Sequence, residues 1–184
     1  MSEDFQEKES EIVKEADKTR LVEGESESES VGKGTDATAS LGLPERYEVL
    51  GKIAQGGMGA VYQARDKENS MTVAVKIMAQ DLLHDSAARK RFDQEAAHLA
   101  SLDHPYIISV YSSGTTAQGA PYLVMELGKG KTLEEILKER GSLTPEKTVN
   151  LFMEILGGLE YAHNKGILHR DLKPNNLMLV KLET

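Results

Sequence analysis

The chain contains no cysteine and no tryptophan, and only 5 prolines and 3 phenylalanines among its 184 residues. Without cysteine it can form no disulfide bond, use no thiol nucleophile and bind no metal through thiolate ligands. This composition is compatible with a reducing compartment, and we expect a cytoplasmic protein. The first ten residues, M-S-E-D-F-Q-E-K-E-S, have neither the basic nor the apolar region of a secretory signal. No apolar run approaches the ~20 residues of a membrane helix, so no membrane segment is predicted.

Positive charge is also scarce, since the net charge at pH 7 is -8. Residues 1–40 carry 12 acidic and 5 basic side chains, whereas residues 41–184 carry 18 acidic and 17 basic ones. The acidity therefore belongs to the N-terminal part, and the remainder is nearly neutral. A nucleic-acid-binding domain needs Lys and Arg clustered on a basic surface, so no nucleic-acid partner is predicted.

Residues 1–42 are rich in Glu, Ser, Lys, Gly and Thr, with the repeat E-G-E-S-E-S-E-S at their centre. Such a segment buries too little apolar surface to offset its loss of conformational entropy, which predicts that residues 1–42 are a disordered acidic tail. Ile12 and Val13 could support no more than a transient helical turn. The tail is interpreted either as a solvating segment or as a docking and phosphorylation segment, in which Ser26, Ser28 and Ser30 are the acceptors.

From residue 43 the sequence becomes patterned and compact. Alternation and turn residues predict five strands, at Arg46–Gln55, Ala60–Arg65, Met71–Met78, Ile107–Ser113 and Pro121–Leu127. The first three have short connections, which indicates an antiparallel meander. A helical period over Ser86–Ser101 places Ala88, Phe92, Ala96 and Leu99 on one face.

Two further helices are predicted after the fifth strand. Leu133–Arg140 is followed by Gly141, and a longer helix begins with Thr144 as N-cap and Pro145 at its first position. The apolar residues of the longer helix keep helical spacing up to Asn164; they are Phe152, Ile155, Leu156, Leu159 and Ala162. Five strands with one inserted helix, followed by helices, indicate an α+β fold.

A glycine-rich segment, A-Q-G-G-M-G-A-V, covers residues 54–61 between the first two strands. A dinucleotide site would place its glycines between a strand and a helix, and G-x-x-x-x-G-K-[ST] is absent. A hairpin tip whose backbone N–H groups approach the phosphates of a triphosphate fits better, because glycine has no Cβ in the way. An ordinary glycine-rich turn remains the alternative.

Lys76 ends V-A-V-K in the third strand, where it should point to the side opposite Val75. It is interpreted either as an edge lysine that reaches water or as a functional lysine. Glu95, on the following helix, favours the second reading, because a carboxylate there could pair with Lys76 while the lysine reaches nucleotide phosphates.

The most informative stretch is H-R-D-L-K-P-N-N at residues 169–176. Asp171 could accept a proton from an acceptor hydroxyl, and Lys173 could neutralise charge on a transferred phosphoryl group. Asn176 could turn back toward a metal ion and the phosphates. Coincidence in a polar surface loop is the alternative, but eight ordered positions argue against it.

These motifs resemble those of Ser/Thr protein kinases, particularly the bacterial branch, over residues 47–179. The resemblance implies an enzyme that transfers the γ-phosphoryl group of ATP, with Mg²⁺, to Ser or Thr hydroxyls of a protein substrate. It implies an N-lobe at 43–127 with a five-stranded antiparallel sheet and one helix, a hinge at 126–131, and the first part of a helical C-lobe at 132–184. Lys173 within H-R-D-L-K-P favours Ser/Thr over Tyr acceptors.

The resemblance also implies a role for individual residues. Asp171, Lys173 and Asn176 would be catalytic, with Asn176 as the metal ligand, and Lys76 would pair with Glu95. The adenine would lie between Val61, Ala74 and Met178, with its edge bound by the backbones of Glu126 and Gly128 and with Met125 as gatekeeper. The triphosphate would lie under the glycine-rich residues Ala54, Gln55, Gly56, Gly57, Met58 and Gly59.

Two departures from the family pattern stand out. Ala54 replaces the first glycine of G-x-G-x-x-G, which adds one methyl group near the ribose. The sequence also ends at Thr184, before any D-F-G, activation loop or A-P-E. We therefore expect a truncated kinase domain that is inactive or nearly so by itself, with apolar surface exposed on the longer helix. The alternative is a non-catalytic, kinase-like fragment that binds a nucleotide or a partner.

Overall fold

The computed structural model describes residues 11–15 and 39–181 of the chain. The chain divides into two compact units. Within the described residues, we call them the sheet unit (residues 39–103 and 108–127) and the helical unit (residues 11–15, 104–107 and 128–181). The lobe and hinge boundaries expected from the sequence remain predictions.

The sheet unit contains one five-stranded antiparallel sheet and one long helix. The first strand of the chain, β1 (Glu11–Glu15), belongs to the helical unit. In chain order the elements of the sheet unit are β2 (Tyr47–Gly56), β3 (Gly59–Asp66), β4 (Met71–Met78), α1 (Ser86–Ala100), β5 (Val110–Thr115) and β6 (Pro121–Glu126). The strand order is β2-β3-β4-β6-β5. The predicted α+β fold with its five-stranded antiparallel sheet is therefore confirmed.

Strand alternation gives this sheet two buried faces. One face packs Tyr47, Val49, Ala64, Val73 and Val75 together with Leu43. The other packs Ala54, Val61, Ala74, Leu123 and Met125 against Ala88, Phe92 and Ala96 of α1. Successive side chains of a strand point to opposite sides, so β4 contributes to both cores and is buried from Val73 to Met78.

Local hydrogen bonds fix the ends of these elements. The Asp85 carboxylate caps α1 by accepting the N–H groups of Ala87 and Ala88 at 2.9 and 3.0 Å, and these bonds lower the pKa of Asp85. At the far end of the first hairpin, Arg46 donates to both carboxylate oxygens of Asp66 at 2.8 and 2.6 Å. This side-chain pair lowers the pKa of the Asp66 carboxyl to about 2.

The helical unit contains two helices and a three-stranded sheet. Its elements are β1 (Glu11–Glu15), β7 (Gly130–Thr132), α2 (Leu133–Arg140), α3 (Pro145–Asn164) and β8 (Leu177–Lys181), with the sheet order β1-β8-β7. Thr132 and Glu135 form a capping box at the start of α2, and the hydroxyl of Thr144 caps α3. Leu133, Leu151, Ile155 and Leu177 form the core of this unit.

Three sequence predictions need correction. Glu11–Glu15 is a strand paired with β8, where the sequence predicted disorder with at most a helical turn. The remaining tail prediction lies mostly outside the described residues. Strands β7 and β8 were missed, because three to five residues are too few for a clear alternation. The strand predicted at Ile107–Ser113 begins only at Val110, because the Ile107 N–H bonds the His104 carbonyl in a turn.

The helical spacing of the apolar residues of α3 did not indicate which of them are packed. Phe152 and Leu156 are 53% and 55% exposed. The buried positions are instead Leu151, Ile155, Gly158 and Ala162. Gly158 is a packing position because a Cβ there would lie 3.5 Å from Tyr106, and a pattern of apolar side chains cannot show this. The expected exposure of apolar surface on this helix is thus observed.

Candidate active site

The predicted site residues fall into two sets, one in each unit. The set in the sheet unit centres on Lys76 of β4. Its side chain is only 4% exposed, and its Nζ lies 3.2 Å from Oε1 of Glu95 on α1. The ammonium also lies 5.7 Å from the ring centroid of Phe92. The predicted ion pair is present, and Lys76 points to the side opposite Val75, as strand alternation required.

The inward face of the same strands brings other predicted residues together. Ala54 of β2, Val61 of β3, Ala74 of β4 and Met125 of β6 belong to one buried cluster. Val61 is directly opposite Lys76 in the β3–β4 ladder, and Ala74 is opposite Met125 in the β4–β6 ladder. The surface beside Lys76 is therefore apolar and made mostly of small side chains, which suits a flat aromatic ring.

The glycine-rich tip connects β2 and β3 at the end of the sheet. Gly59 has a φ of +154°, and a Cβ there would lie 2.0 Å from the Ile77 carbonyl oxygen. Gly57 has open space around it, because no atom would lie within 4 Å of a Cβ at this position. Gln55 and Gly57 are exposed, while Met58 is half-buried and its carbonyl accepts the Ala79 N–H at 3.0 Å.

At the end of β6 the chain enters the predicted hinge. The Glu126 N–H donates to the Ser109 carbonyl at 2.8 Å, which holds β6 beside the start of β5. In the helical unit, Gly128 lies against Met178 of β8, since a Cβ on Gly128 would lie 2.3 Å from the Met178 sulfur. A side chain at 128 would thus displace one of the residues predicted to contact adenine.

The second set lies in the loop before β8. Lys173 Nζ lies 3.0 Å from Asp171 Oδ2. The Asn176 amide donates to the Asp171 carbonyl at 2.8 Å and to its Oδ2 at 3.2 Å. Asp171, Lys173 and Asn176, which the sequence singled out, therefore form one hydrogen-bonded group.

Asn176 is fully buried, whereas the Asp171 and Lys173 side chains are 40% and 42% exposed. The amide oxygen of Asn176 has no hydrogen-bond partner among the residues that the structure describes. A buried acceptor of this kind lacks compensation for its lost hydration. An amide oxygen is also a donor that Mg²⁺ accepts, so the site fits the predicted metal ligand.

Sequence analysis missed the residues that shape this loop. His169 Nδ1 accepts the Asp171 N–H at 3.1 Å, and burial lowers the pKa of His169. Between them Arg170 has a φ of +63°, a left-handed conformation that is uncommon outside glycine. The turn at Arg170 lets a neutral His169 hold the Asp171 backbone. The His-x-Asp spacing was a possible signal, but spacing alone does not reveal a positive φ.

Among the residues that the structure describes, no group of three His, Cys, Asp or Glu side chains is placed to bind a metal ion. A magnesium ion at this site would use Asn176, in the described part of the chain, as a ligand together with oxygen atoms of the nucleotide. Within the same residues, no helix is both long enough and apolar enough to cross a membrane.

Comparisons with known proteins agree with this geometry. The model of the protein kinase domain family matches residues 47–184. The chain is 43% identical over 142 residues to the probable serine/threonine-protein kinase SCO3848 of Streptomyces coelicolor, covering 76% of this chain and 21% of that protein. It is 39% identical over 140 residues to the serine/threonine-protein kinase PknB of Mycobacterium tuberculosis, covering 74% and 22%.

Among solved structures, the PknI kinase domain of M. tuberculosis superposes with a TM-score of 0.64 at 25% identity, covering 77% of this chain and 59% of that one. The chain spans about a fifth of the length of the curated relatives described above. The matched residues include the Lys76–Glu95 pair and the whole loop from His169 to Asn176. The chain therefore belongs to the protein kinase family and is similar to its bacterial serine/threonine-protein kinases.

Proposed function

We propose that this chain carries the nucleotide-binding and phosphoryl-transfer residues of a protein kinase that uses ATP and Mg²⁺ to phosphorylate Ser or Thr of a protein. The observation that carries the proposal is the group formed by Asp171, Lys173 and Asn176. In it a carboxylate, a cation and a buried amide oxygen lie within one short loop, and that oxygen has no hydrogen-bond partner in the described part of the chain.

Each residue of the loop has a distinct task. Asp171 Oδ2 accepts the proton of the acceptor hydroxyl, and the loss of this proton makes the hydroxyl oxygen a better nucleophile. Lys173 lies 3.0 Å from the same carboxylate oxygen and offers positive charge where the transferred group gains negative charge. Asn176 orients Asp171 through its amide N–H groups and presents Oδ1 to the metal ion.

The sheet unit contributes binding and orientation. Glu95 holds the Lys76 ammonium at a fixed place on the buried face of β4, where it can contact the α- and β-phosphates. The backbone N–H groups around Gly57 can approach the phosphates closely, because the space that a Cβ would occupy there is open. Magnesium, when bound, neutralises phosphate charge.

Loss of the Asp171 carboxylate should slow phosphoryl transfer without weakening nucleotide binding. The assay uses the 184-residue chain with magnesium-ATP and a generic basic protein, and compares it with Asp171→Asn. We expect any phosphate incorporation to fall by about 10²- to 10⁴-fold in the variant, as for loss of a general base. The dissociation constant for a fluorescent ATP analogue should change by less than about threefold. Incorporation that is unaffected by Asp171→Asn would contradict the proposal.

A second candidate is a non-catalytic domain that binds nucleotide. The Ala54 methyl group in the glycine-rich segment and the exposed apolar positions of α3, such as Phe152, favour it. This candidate predicts binding of the ATP analogue that weakens in Lys76→Met, with no incorporation above background at any protein concentration. The first candidate instead predicts incorporation that is slow but depends on Asp171, so the same two measurements distinguish them.

A further inference from the structure

Strand β8 begins directly after Asn176 and lies between two other strands, in the sheet order β1-β8-β7. Its pairing with β7 covers three residues, from Met178 to Val180. Its pairing with β1 covers all five of its residues, with Lys14 opposite Met178 and Ile12 opposite Val180. Within the described residues, β1 is therefore the strand that pairs with the whole length of β8.

The backbone groups of β8 point alternately to its two neighbours. A Cβ on Gly130 of β7 would collide with the Leu179 carbonyl oxygen, so this carbonyl points towards β7. In an antiparallel sheet the N–H and C=O groups of one residue point to the same side, and those of the next residue point to the other side. Met178 and Val180 therefore direct their N–H and C=O groups towards β1, to the two residues that are opposite them.

Met178 connects this pairing to the candidate nucleotide site. The family resemblance predicts it as an adenine contact, and its sulfur lies against Gly128. Its backbone partner is Lys14 of β1 rather than Thr132, the residue opposite it in β7. We propose that β1 is a positioning strand of the nucleotide site, which holds Met178 in place for adenine by pairing with β8. This inference rests on the proposed nucleotide-binding function.

The strand β1 reaches this position from a distant part of the sequence. Residues 39–103 of the sheet unit separate it from residues 104–107, the next described part of the helical unit. Within residues 1–38, Ile12-Val13 is the one pair of adjacent β-branched residues, the type that favours strands. Pairing of such a segment with a sheet edge is a common mode of recognition. A five-residue edge strand can also leave while the helices stay folded, so the affinity for nucleotide should depend on its docking.

Single prolines can test the pairing, because proline has no backbone N–H. Lys14→Pro removes the N–H that is directed to the Met178 carbonyl, and Ile12→Pro removes the one directed to Val180. These are the two test variants. Val13→Pro is the matched control, because its N–H points away from β8 and an edge strand tolerates proline at such a position. All three substitutions are made in the full 184-residue chain.

Native-state hydrogen exchange without nucleotide measures the docking of β1. The test variants should lower the protection of the Met178 and Val180 amides by at least about tenfold, whereas the control should change it by less than about threefold. The Leu179 amide, which points to β7, and the amides of α3 should keep their protection. Equal losses in all three variants would overturn the backbone assignment. Loss of protection throughout α3 would show that β1 supports the whole unit, and would also overturn the proposal.

Competition against a fluorescent ATP analogue connects this docking to the nucleotide site. Adenosine reports on the adenine contact, and tripolyphosphate reports on the phosphate contacts proposed for Lys76. The test variants should bind adenosine at least about threefold more weakly, and tripolyphosphate with a change of less than about twofold. The control variant should bind both competitors as the unaltered protein does. Equal weakening for adenosine and tripolyphosphate would contradict a role in positioning Met178.

Failure of this inference is distinguishable from failure of the proposed function. If the test variants lose amide protection in β8 but bind adenosine as tightly as the unaltered protein, then β1 does not position the site. The inference would then be wrong, while nucleotide binding by the unaltered protein would stand. If the unaltered protein does not bind the ATP analogue, the proposed function is refuted, and this inference with it.

Discussion

Lys76 and Glu95 are 19 positions apart and meet between a central strand and a helix, whereas Asp171 and Asn176 are five positions apart within one loop. The side chain of Lys76 is 4% exposed and that of Asp171 is 40% exposed. The first contact therefore exists only when the sheet unit is folded. The second depends on the local path of the backbone, including the turn at Arg170. Substitutions should accordingly act on global stability in the first case and locally in the second.

The largest effect is expected from breaking the buried ion pair on one side. Glu95→Leu removes the carboxylate next to an ammonium that is almost fully buried, and should lower the free energy of unfolding of the sheet unit by about 3 kcal/mol. Lys76→Met should cost less, because the Glu95 side chain is 22% exposed and can be hydrated in its absence. Urea denaturation measures both.

The double variant Lys76→Met/Glu95→Leu sharpens this prediction. Replacing both charges by apolar side chains of similar size leaves no buried ion, so most of the stability lost in Glu95→Leu should return. A double variant as unstable as Glu95→Leu would show that packing, rather than the uncompensated charge, causes the loss.

The next effect concerns the glycine-rich tip of the sheet unit. Gly59→Ala places a methyl group 2.0 Å from the Ile77 carbonyl oxygen at a φ of +154°, and should cost about 2 kcal/mol. Gly57→Ala is the matched control, because its methyl group would meet open space, and it should change stability by less than about 0.5 kcal/mol. Thermal unfolding of the two variants in parallel checks the difference, and equal losses would contradict it.

Loss of Asn176 should produce a smaller and local effect. Asn176→Ala removes the hydrogen bonds to the carbonyl and carboxylate of Asp171, at about 1–2 kcal/mol in total. Native-state hydrogen exchange should show reduced protection in β8 and the preceding loop, with α1 unchanged. Asn175→Ala, at the neighbouring position, should leave the pattern unaltered. Reduced protection in α1 would contradict the prediction that the effect of Asn176→Ala is local.

The smallest effect concerns pH at the loop. Burial lowers the pKa of His169, so the folded loop favours the neutral ring whose Nδ1 accepts the Asp171 N–H. This contribution is fully present above the ordinary His pKa of about 6.5 and is lost as pH falls through the lower folded value. The protection factor of the Asp171 amide should thus decrease below pH ~6.5. His98→Gln, at an exposed position, is the control variant. A protection factor of the Asp171 amide that stays constant down to about pH 5 would contradict the prediction.

Sequence reasoning succeeded where the residue types and the spacing of the apolar residues indicate the same structure. The strands β2 to β4 and the helices α1 and α2 lie within one residue of their predicted bounds, because alternation and caps are local signals. The Lys76–Glu95 pair was predicted from a glutamate on the following helix and from the resemblance to the kinase pattern. The packed face of α3 was not identified, since Gly158 packs closely without an apolar side chain to mark it.

The sequence by itself determined the family and the α+β class, and it singled out Asp171, Lys173 and Asn176 because their order along the chain matches the family's motif. Only the tertiary structure decided how deeply Lys76 is buried and how His169 and Arg170 shape the loop. Burial and backbone angles arise from contacts between residues distant in sequence. No local pattern of residue types specifies those contacts.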